Sequence, residues 1–152
     1  MKLSDLERRI LRELQRDASR PVGELAEAVG AAQSTVWRRI AELDKAGLIT
    51  ARVALLDPRK AGVPLCVFAT VKLADHSEAS LDGFGRVIRT SPEILEAHAI
   101  TGTGDYLLKI RCKDVEAYQD FMSRSLLAAP FVRSVTSSLS LKELKSTTEL
   151  PI

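Results

Sequence analysis

The stretch Gln33–Ala46, QSTVWRRIAELDKA, decides how the rest of the chain is read. Val36, Ile40 and Leu43 recur at i, i+4 and i+7, so they line one face of a helix. The other faces carry Gln33, Ser34, Thr35, Trp37, Arg38 and Arg39. Amide, hydroxyl and guanidinium groups are the ones that bond phosphate oxygens and base edges. Gly30 stands just ahead, at the end of another short periodic stretch. A helix, a tight turn at a glycine and a second helix with a polar, basic start form the helix-turn-helix pattern. The second helix is therefore expected to enter a groove of DNA. The competing reading is a surface helix whose arginines only solvate it.

Working outward, Ser4 followed by Glu7 is a capping box that starts a helix, with Leu6, Ile10, Leu11 and Leu14 as its buried stripe. That helix is expected to end near Asp17. Pro21 suits the start of the next helix, where Leu25, Ala26 and Val29 face inward. Gly30 and Gly47 can take the left-handed backbone that closes a helix. Thr50–Leu56, TARVALL, alternates as a strand does. Three helices and a strand make a winged helix-turn-helix, placed at residues 1–50. About 50 residues is small for a lone domain, so docking or dimerisation is expected to support it.

Residues 51–64 read as a linker strand and hinge, because DPRKAGVP holds two prolines and a glycine. Residues 65–152 read as a second domain. Leu65–Leu73 alternates as a strand. A helix follows from about Ser80 to Thr90, weakened at Gly83 and Gly85 by about 1 kcal/mol each relative to alanine. Ile94–Thr101 and Tyr106–Cys112 are two strands joined by the turn Gly102-Thr103-Gly104-Asp105. Asp114 caps a further helix that Pro130 stops, and Val132–Leu144 is a long last strand. Strand, helix, strand, strand, helix, strand is the ferredoxin-like order, an antiparallel sheet with both helices on one side. Phe68, Val135, Leu139 and Leu141 are expected on the other side, where a face-to-face dimer would cover them. The fold class is thus α+β, a winged helix-turn-helix followed by a ferredoxin-like βαββαβ domain.

Composition bounds the function. The chain has 152 residues, 45% of them hydrophobic and 28% charged, as in a soluble globular protein. No run approaches a membrane span and the charged N-terminus has no signal-peptide core, so a cytoplasmic protein without a membrane partner is expected. Residues 1–60 hold 12 Lys and Arg against 9 Asp and Glu, and residues 61–152 hold 10 against 11. Any polyanion contact therefore belongs to the first part, and several copies would be needed for a firm grip. Cys66 and Cys112 lie in apolar runs without ligand spacing, so free buried thiols and no metal site are expected. His76 and His98 have no partner at recognisable spacing, so neither an enzyme nor a cofactor is expected.

Four segments carry a resemblance: ILRELQRDASRPVGELAEAVGAAQSTVWRRIAELDKAGLI, then LDPRKAGVP, ITGTGDYLLKI and FVRSVTSSLSLKELKSTTELPI. In this order and spacing the chain resembles the Lrp/AsnC (feast/famine) transcriptional regulators along essentially its whole length. The resemblance implies a helix-turn-helix joined to a ligand-sensing RAM domain, double-stranded DNA as partner, and dimers gathered into octamers or other higher assemblies. It also implies a small-molecule effector, an amino acid, bound between subunits, and control of amino-acid metabolism genes. Gln33, Ser34, Thr35, Trp37, Arg38 and Arg39 match the recognition-helix positions. Trp37 has a competing reading as a core or phosphate-packing residue, and Arg39 as an ion-pair partner of Glu42 or Asp44.

The turn Thr101, Gly102, Thr103, Gly104, Asp105, Tyr106 matches the effector-binding place, with Thr136 and Ser138 as candidate lining. Its glycines would expose N–H groups to a carboxylate, and Asp105 would take an ammonium. Alternatively, Asp105 is satisfied by its own backbone in an ordinary hairpin. The sequence departs from the family pattern in two places. Ala31-Ala32 replace Leu-Ser, removing a hydroxyl cap and leaving Ser34 as the substitute. Thr50-Ala51-Arg52 replace the usual glycine and tyrosine, which puts the wing geometry in question.

Overall fold

The computed structural model describes residues 2–152, which form two compact units: residues 2–55 with 144–152, and residues 56–143.

In the first unit the capping box at Ser4 and Glu7 opens α1, Asp5–Arg16, which ends at Asp17. Helix α2, Val22–Val29, follows Pro21, and Gly30 closes it at φ 65°. That left-handed turn lets the Ala31 N–H reach back to the Ala26 carbonyl at 3.0 Å, and it aims the chain into α3, Gln33–Lys45. Ile10, Leu25, Ala26, Val29 and Val36 make a core with Leu6, Leu14 and Ile40 at its edge. The expected strand at Thr50–Leu56 does not form; residues 50–57 are irregular. Val53, Leu55 and Leu56 stand 74%, 72% and 75% exposed. Alternation alone makes no strand, because the backbone needs a partner to bond, and no strand lies among the described residues of this unit.

The same unit includes residues 144–152. The Gln15 amide accepts from the Leu150 N–H at 2.6 Å and donates to the Leu150 carbonyl at 3.3 Å. Arg16 faces Glu149 at 3.4 Å, and Arg12 donates to the Ile152 carbonyl. These bonds fix an extended segment along α1.

The second unit has β1 Leu65–Leu73, α4 Glu78–Thr90, β2 Ile94–Ala99, β3 Tyr106–Cys112, α5 Val115–Phe121 and β4 Val132–Leu139. Helix α5 is capped by Asp114 and runs on into a π-helical turn, Met122–Leu127. The strands pair antiparallel in the order β2-β3-β1-β4. Val67, Ala69, Val71, Leu108 and Ile110 are fully buried against Phe84 of α4 and Phe121 and Leu126 from the second helix. Strand β4 is shorter than expected; residues 140–152 are irregular.

Register corrects the reading of the open face. Val135 lies opposite Val71, Ser137 opposite Ala69 and Leu139 opposite Val67, so all three side chains share the helix-covered face. The Tyr118 hydroxyl, 2.5 Å from the Ser137 Oγ, fits that assignment. Leu141 lies beyond the strand and is 98% exposed. The open face instead carries Phe68, Thr70, Lys72, Ser134, Thr136 and Ser138, with Leu107, Lys109 and Arg111 beside them. Of the four expected residues only Phe68 is there.

The helix glycines also differ from a propensity reading. A Cβ on Gly83 would lie 2.6 Å from the Phe131 ring, whereas one on Gly85 would meet only the movable end of Arg89 at 3.2 Å. Gly83→Ala is therefore expected to lower stability by about 1–3 kcal/mol through overpacking. Gly85→Ala is expected to raise it by about 0.5–1 kcal/mol. Urea unfolding of the two variants checks the opposite signs.

Candidate DNA-binding helix and effector turn

Helix α3 buries Val36 and Leu43, and this fixes which way its other residues point. Gln33, Ser34 and Arg38 are exposed, while Thr35 and Arg39 are half-buried. Trp37 is 65% exposed, so it is not a core residue. A large aromatic ring left in water at the centre of a polar helix face is free to pack on a sugar-phosphate backbone. Arg39 bonds Glu42 at 2.7 Å, and Arg38 lies 3.9 Å from the same carboxylate. Arg52 pairs with Asp44 at 2.8 Å. Ala32 stands at the helix N-cap and no side chain caps it; Ser34 does not take that role. The first N–H groups of α3 are left without side-chain partners, at the end of a helix that favours anions.

The turn between β2 and β3 holds the second predicted set. Thr101, Gly102 and Thr103 are exposed and Gly104 is buried. Gly102 takes φ 114°. Gly104 lies against the sheet: a Cβ there would overlap the Thr70 Cγ2 and sit 3.4 Å from the Val71 carbonyl. Glycine is needed at 104 for close approach.

Thr70 is directly opposite Thr136, and Phe68 opposite Ser138. The structure therefore brings the turn, Thr136 and Ser138 to one side of the sheet. Tyr106 is set apart: it lies opposite Val71 and its ring packs on Phe84 with centroids 4.7 Å apart, on the helix side.

Asp105 is held from two directions. Its Oδ2 accepts the Leu73 N–H at 2.7 Å and its Oδ1 lies 3.0 Å from the His76 Nε2. The Leu73 amide, then His76, keep this carboxyl below the usual carboxylate range. The Asp105 N–H bonds the Val71 carbonyl, and its carbonyl accepts the Ile100 N–H, both at 2.9 Å. No described residue's backbone accepts the N–H of Gly102, Thr103 or Gly104.

Sequence reasoning missed Thr70 and His76. The first looks like any polar residue in a strand. The second is 29 positions from its partner, and no local spacing signals it. Elsewhere on the open face Lys109 bonds Glu96 at 2.8 Å, which holds that carboxyl low, and Arg111 bonds Glu143 at 3.0 Å. Both cysteines are buried free thiols. Among the described residues no group of His, Cys, Asp and Glu is arranged to hold a metal, and no helix is long and apolar enough to cross a membrane.

Known proteins match the chain in two successive stretches. Residues 3–50 match the family model for winged helix-turn-helix DNA-binding domains, and residues 66–150 that for the Lrp/AsnC ligand binding domain. The glutamate uptake regulatory protein of Zymomonas mobilis is 38% identical over 151 residues, covering 99% of this chain and 92% of that protein. An AsnC family transcriptional regulator from Agrobacterium tumefaciens superposes with a TM-score of 0.93 at 39% identity, covering 98% of this chain and 97% of that one. A transcriptional regulator of Neisseria meningitidis, solved as a complex with L-methionine, superposes at 0.95 with 33% identity, covering 99% and 97%. With the α+β architecture and the exposed basic helix, these matches place the chain in the Lrp/AsnC family of DNA-binding transcriptional regulators, which are not enzymes.

Proposed function

We propose that this regulator is cytoplasmic, works as a dimer or a higher assembly of dimers, reads double-stranded DNA with α3, and responds to an amino acid held at the turn 101–105. Gln33, Ser34 and Thr35, at the start of the helix, reach base edges in the major groove, while Arg38 and Arg39 sit on phosphates. Two-fold symmetry then calls for half-sites about one helical turn apart, or a multiple of that. The observation that carries the effector reading is the turn itself. It offers unpaired backbone N–H groups for a carboxylate and the Asp105 carboxylate for an ammonium, with Thr70 and Thr136 beside them. The regulator of Neisseria meningitidis solved with L-methionine supports the class of ligand.

Dimerisation is supported by the exposed Val53, Leu55 and Leu56 of the linker and by Phe68 on the open sheet face. The linker segments of two copies would give one another the strand partner that a single chain lacks. The ligand changes DNA affinity only through unequal affinity for two assembly geometries.

Two measurements test this reading. The chain holds one tryptophan, so its fluorescence reports α3 alone. Titration with DNA from upstream of the regulator's own gene is expected to quench Trp37 emission, whereas a random fragment of equal length does so only at low salt. A thermal-shift screen of the twenty protein amino acids is expected to raise Tm for a small subset, since ligand bound only to the native state stabilises it. No shift at millimolar ligand would remove the effector part, and equal quenching by both DNAs would remove sequence-specific reading.

A further inference from the structure

We propose that His76 is an internal stand-in for the effector's ammonium group. It holds the Asp105 Oδ1 until an amino acid displaces it, and so sets how tightly that amino acid binds. The inference rests on the amino-acid reading of the turn and assigns a role to a residue outside it.

The two oxygens of Asp105 are not equivalent. Oδ2 takes the main-chain N–H of Leu73 at 2.7 Å, at the end of β1, and that bond fixes where the carboxylate stands. Among the described residues Oδ1 is held only by the His76 imidazole, at 3.0 Å. A ring N–H offers a carboxylate the same kind of donor as an ammonium. The side chain of His76 is 66% exposed and that of Asp105 22%, so the partner that can leave is the histidine. Lys72 also acts on Asp105, and Asp75 feels His76, but neither replaces the contact at Oδ1.

The loop around His76 is anchored without it. The Ala74 N–H bonds the Phe131 carbonyl at 2.9 Å, the Asp75 Oδ1 accepts the Ser77 N–H at 2.9 Å, and the Ser77 Oγ caps α4 by accepting the Ser80 N–H at 3.3 Å. Asp75, drawn down to about 2 chiefly by its bonds to Ser77, keeps its charge for that turn. Exchange at Oδ1 therefore needs only rotation of an exposed imidazole, with the backbone and the core left in place. A site closed by its own side chain binds with an affinity reduced by the fraction of time it is open.

The test compares wild type with His76→Ala, His76→Gln and Asp105→Asn, each titrated by calorimetry with the amino acids that shift Tm in the panel of twenty. His76→Ala is expected to lower Kd about three- to tenfold, the gain from opening a site that is closed most of the time. His76→Gln, which keeps a donor, is expected to fall between, and Asp105→Asn to weaken binding. In wild type the same amino acids are expected to move the His76 ring resonance; the chain has two histidines, so His76→Ala assigns it. Unchanged or weaker binding in His76→Ala, or a ring resonance that ignores the ligand, overturns the inference. If Asp105→Asn still loses binding in that case, the effector reading survives. If neither wild type nor His76→Ala binds any amino acid of the panel, both fall.

Discussion

Replacing Arg38 and Arg39 together by alanine is expected to weaken specific DNA binding on the order of 100- to 1000-fold at moderate salt, because a dimer would release about four phosphates. The dependence of log K on log salt is expected to flatten by about 0.9 for each phosphate no longer neutralised. Folding should be nearly untouched. Both guanidinium groups are solvent-facing, with 63% and 39% of their side chains exposed, and exposed ion pairs contribute only ~0–1 kcal/mol. The single variants separate the two roles. Arg38 is 3.9 Å from Glu42, too far for a direct bond, so Arg38→Ala carries the larger loss. Arg39 is bonded to Glu42 at 2.7 Å and must be released before it can hold a phosphate. Glu42→Gln therefore has the opposite sign and tightens binding, by removing both a competitor and a negative charge. Fluorescence anisotropy at three salt concentrations reads all four variants. Equal affinities at every salt would move the DNA interface off α3.

The second large effect is expected at Gly104. An alanine methyl there would overlap the Thr70 Cγ2 and fill the space up to the Val71 carbonyl, 3.4 Å away, so either the Thr70 side chain or the turn must give way. Overpacking of this kind costs about 1–3 kcal/mol. Lifting the turn also moves Asp105, whose N–H is bonded to that same Val71 carbonyl at 2.9 Å. Gly104→Ala is thus expected to lower Tm and to abolish the amino-acid-induced shift. Thr70→Ala removes the overlapped methyl. The double variant Gly104→Ala, Thr70→Ala is expected to recover most of the lost stability, as touching residues couple and distant ones do not. Additive losses in the double variant would show that the turn does not rest on Thr70.

Much of this was legible from local pattern. The Ser4 capping box, the left-handed Gly30, the bounds of β3 and the Asp114 cap all appear where residue spacing puts them, because each is settled within a few residues. The long-range features were not. By their apolar character alone, Val135 and Leu139 look like dimer-facing residues. Only their pairing with Val71 and Val67 turns them toward the helices, and one residue of register reverses a strand's faces. The stretch 50–57 has strand composition and no strand, since alternation cannot supply a neighbour. At the candidate sites the sequence singled out α3 and the turn 101–106, and the structure brings Gly104 of that turn to the face of the sheet that carries Thr136 and Ser138. The sequence did not separate Tyr106, which packs in the core, from its neighbours, nor find the His76 bond. Gly83 looked like a weak point of its helix, yet its missing side chain is where Phe131 packs.

Residues 144–152 fold onto α1, yet all of residues 56–143 lie between them and the rest of their unit. A ribosome adding about 5–20 residues per second makes α1–α3 first, then the whole sheet, and residues 144–152 only after it. Helices α1–α3 are thus complete about 5–20 seconds before residue 152 has been added. A nascent chain can close its sensing domain before its DNA-binding unit is complete.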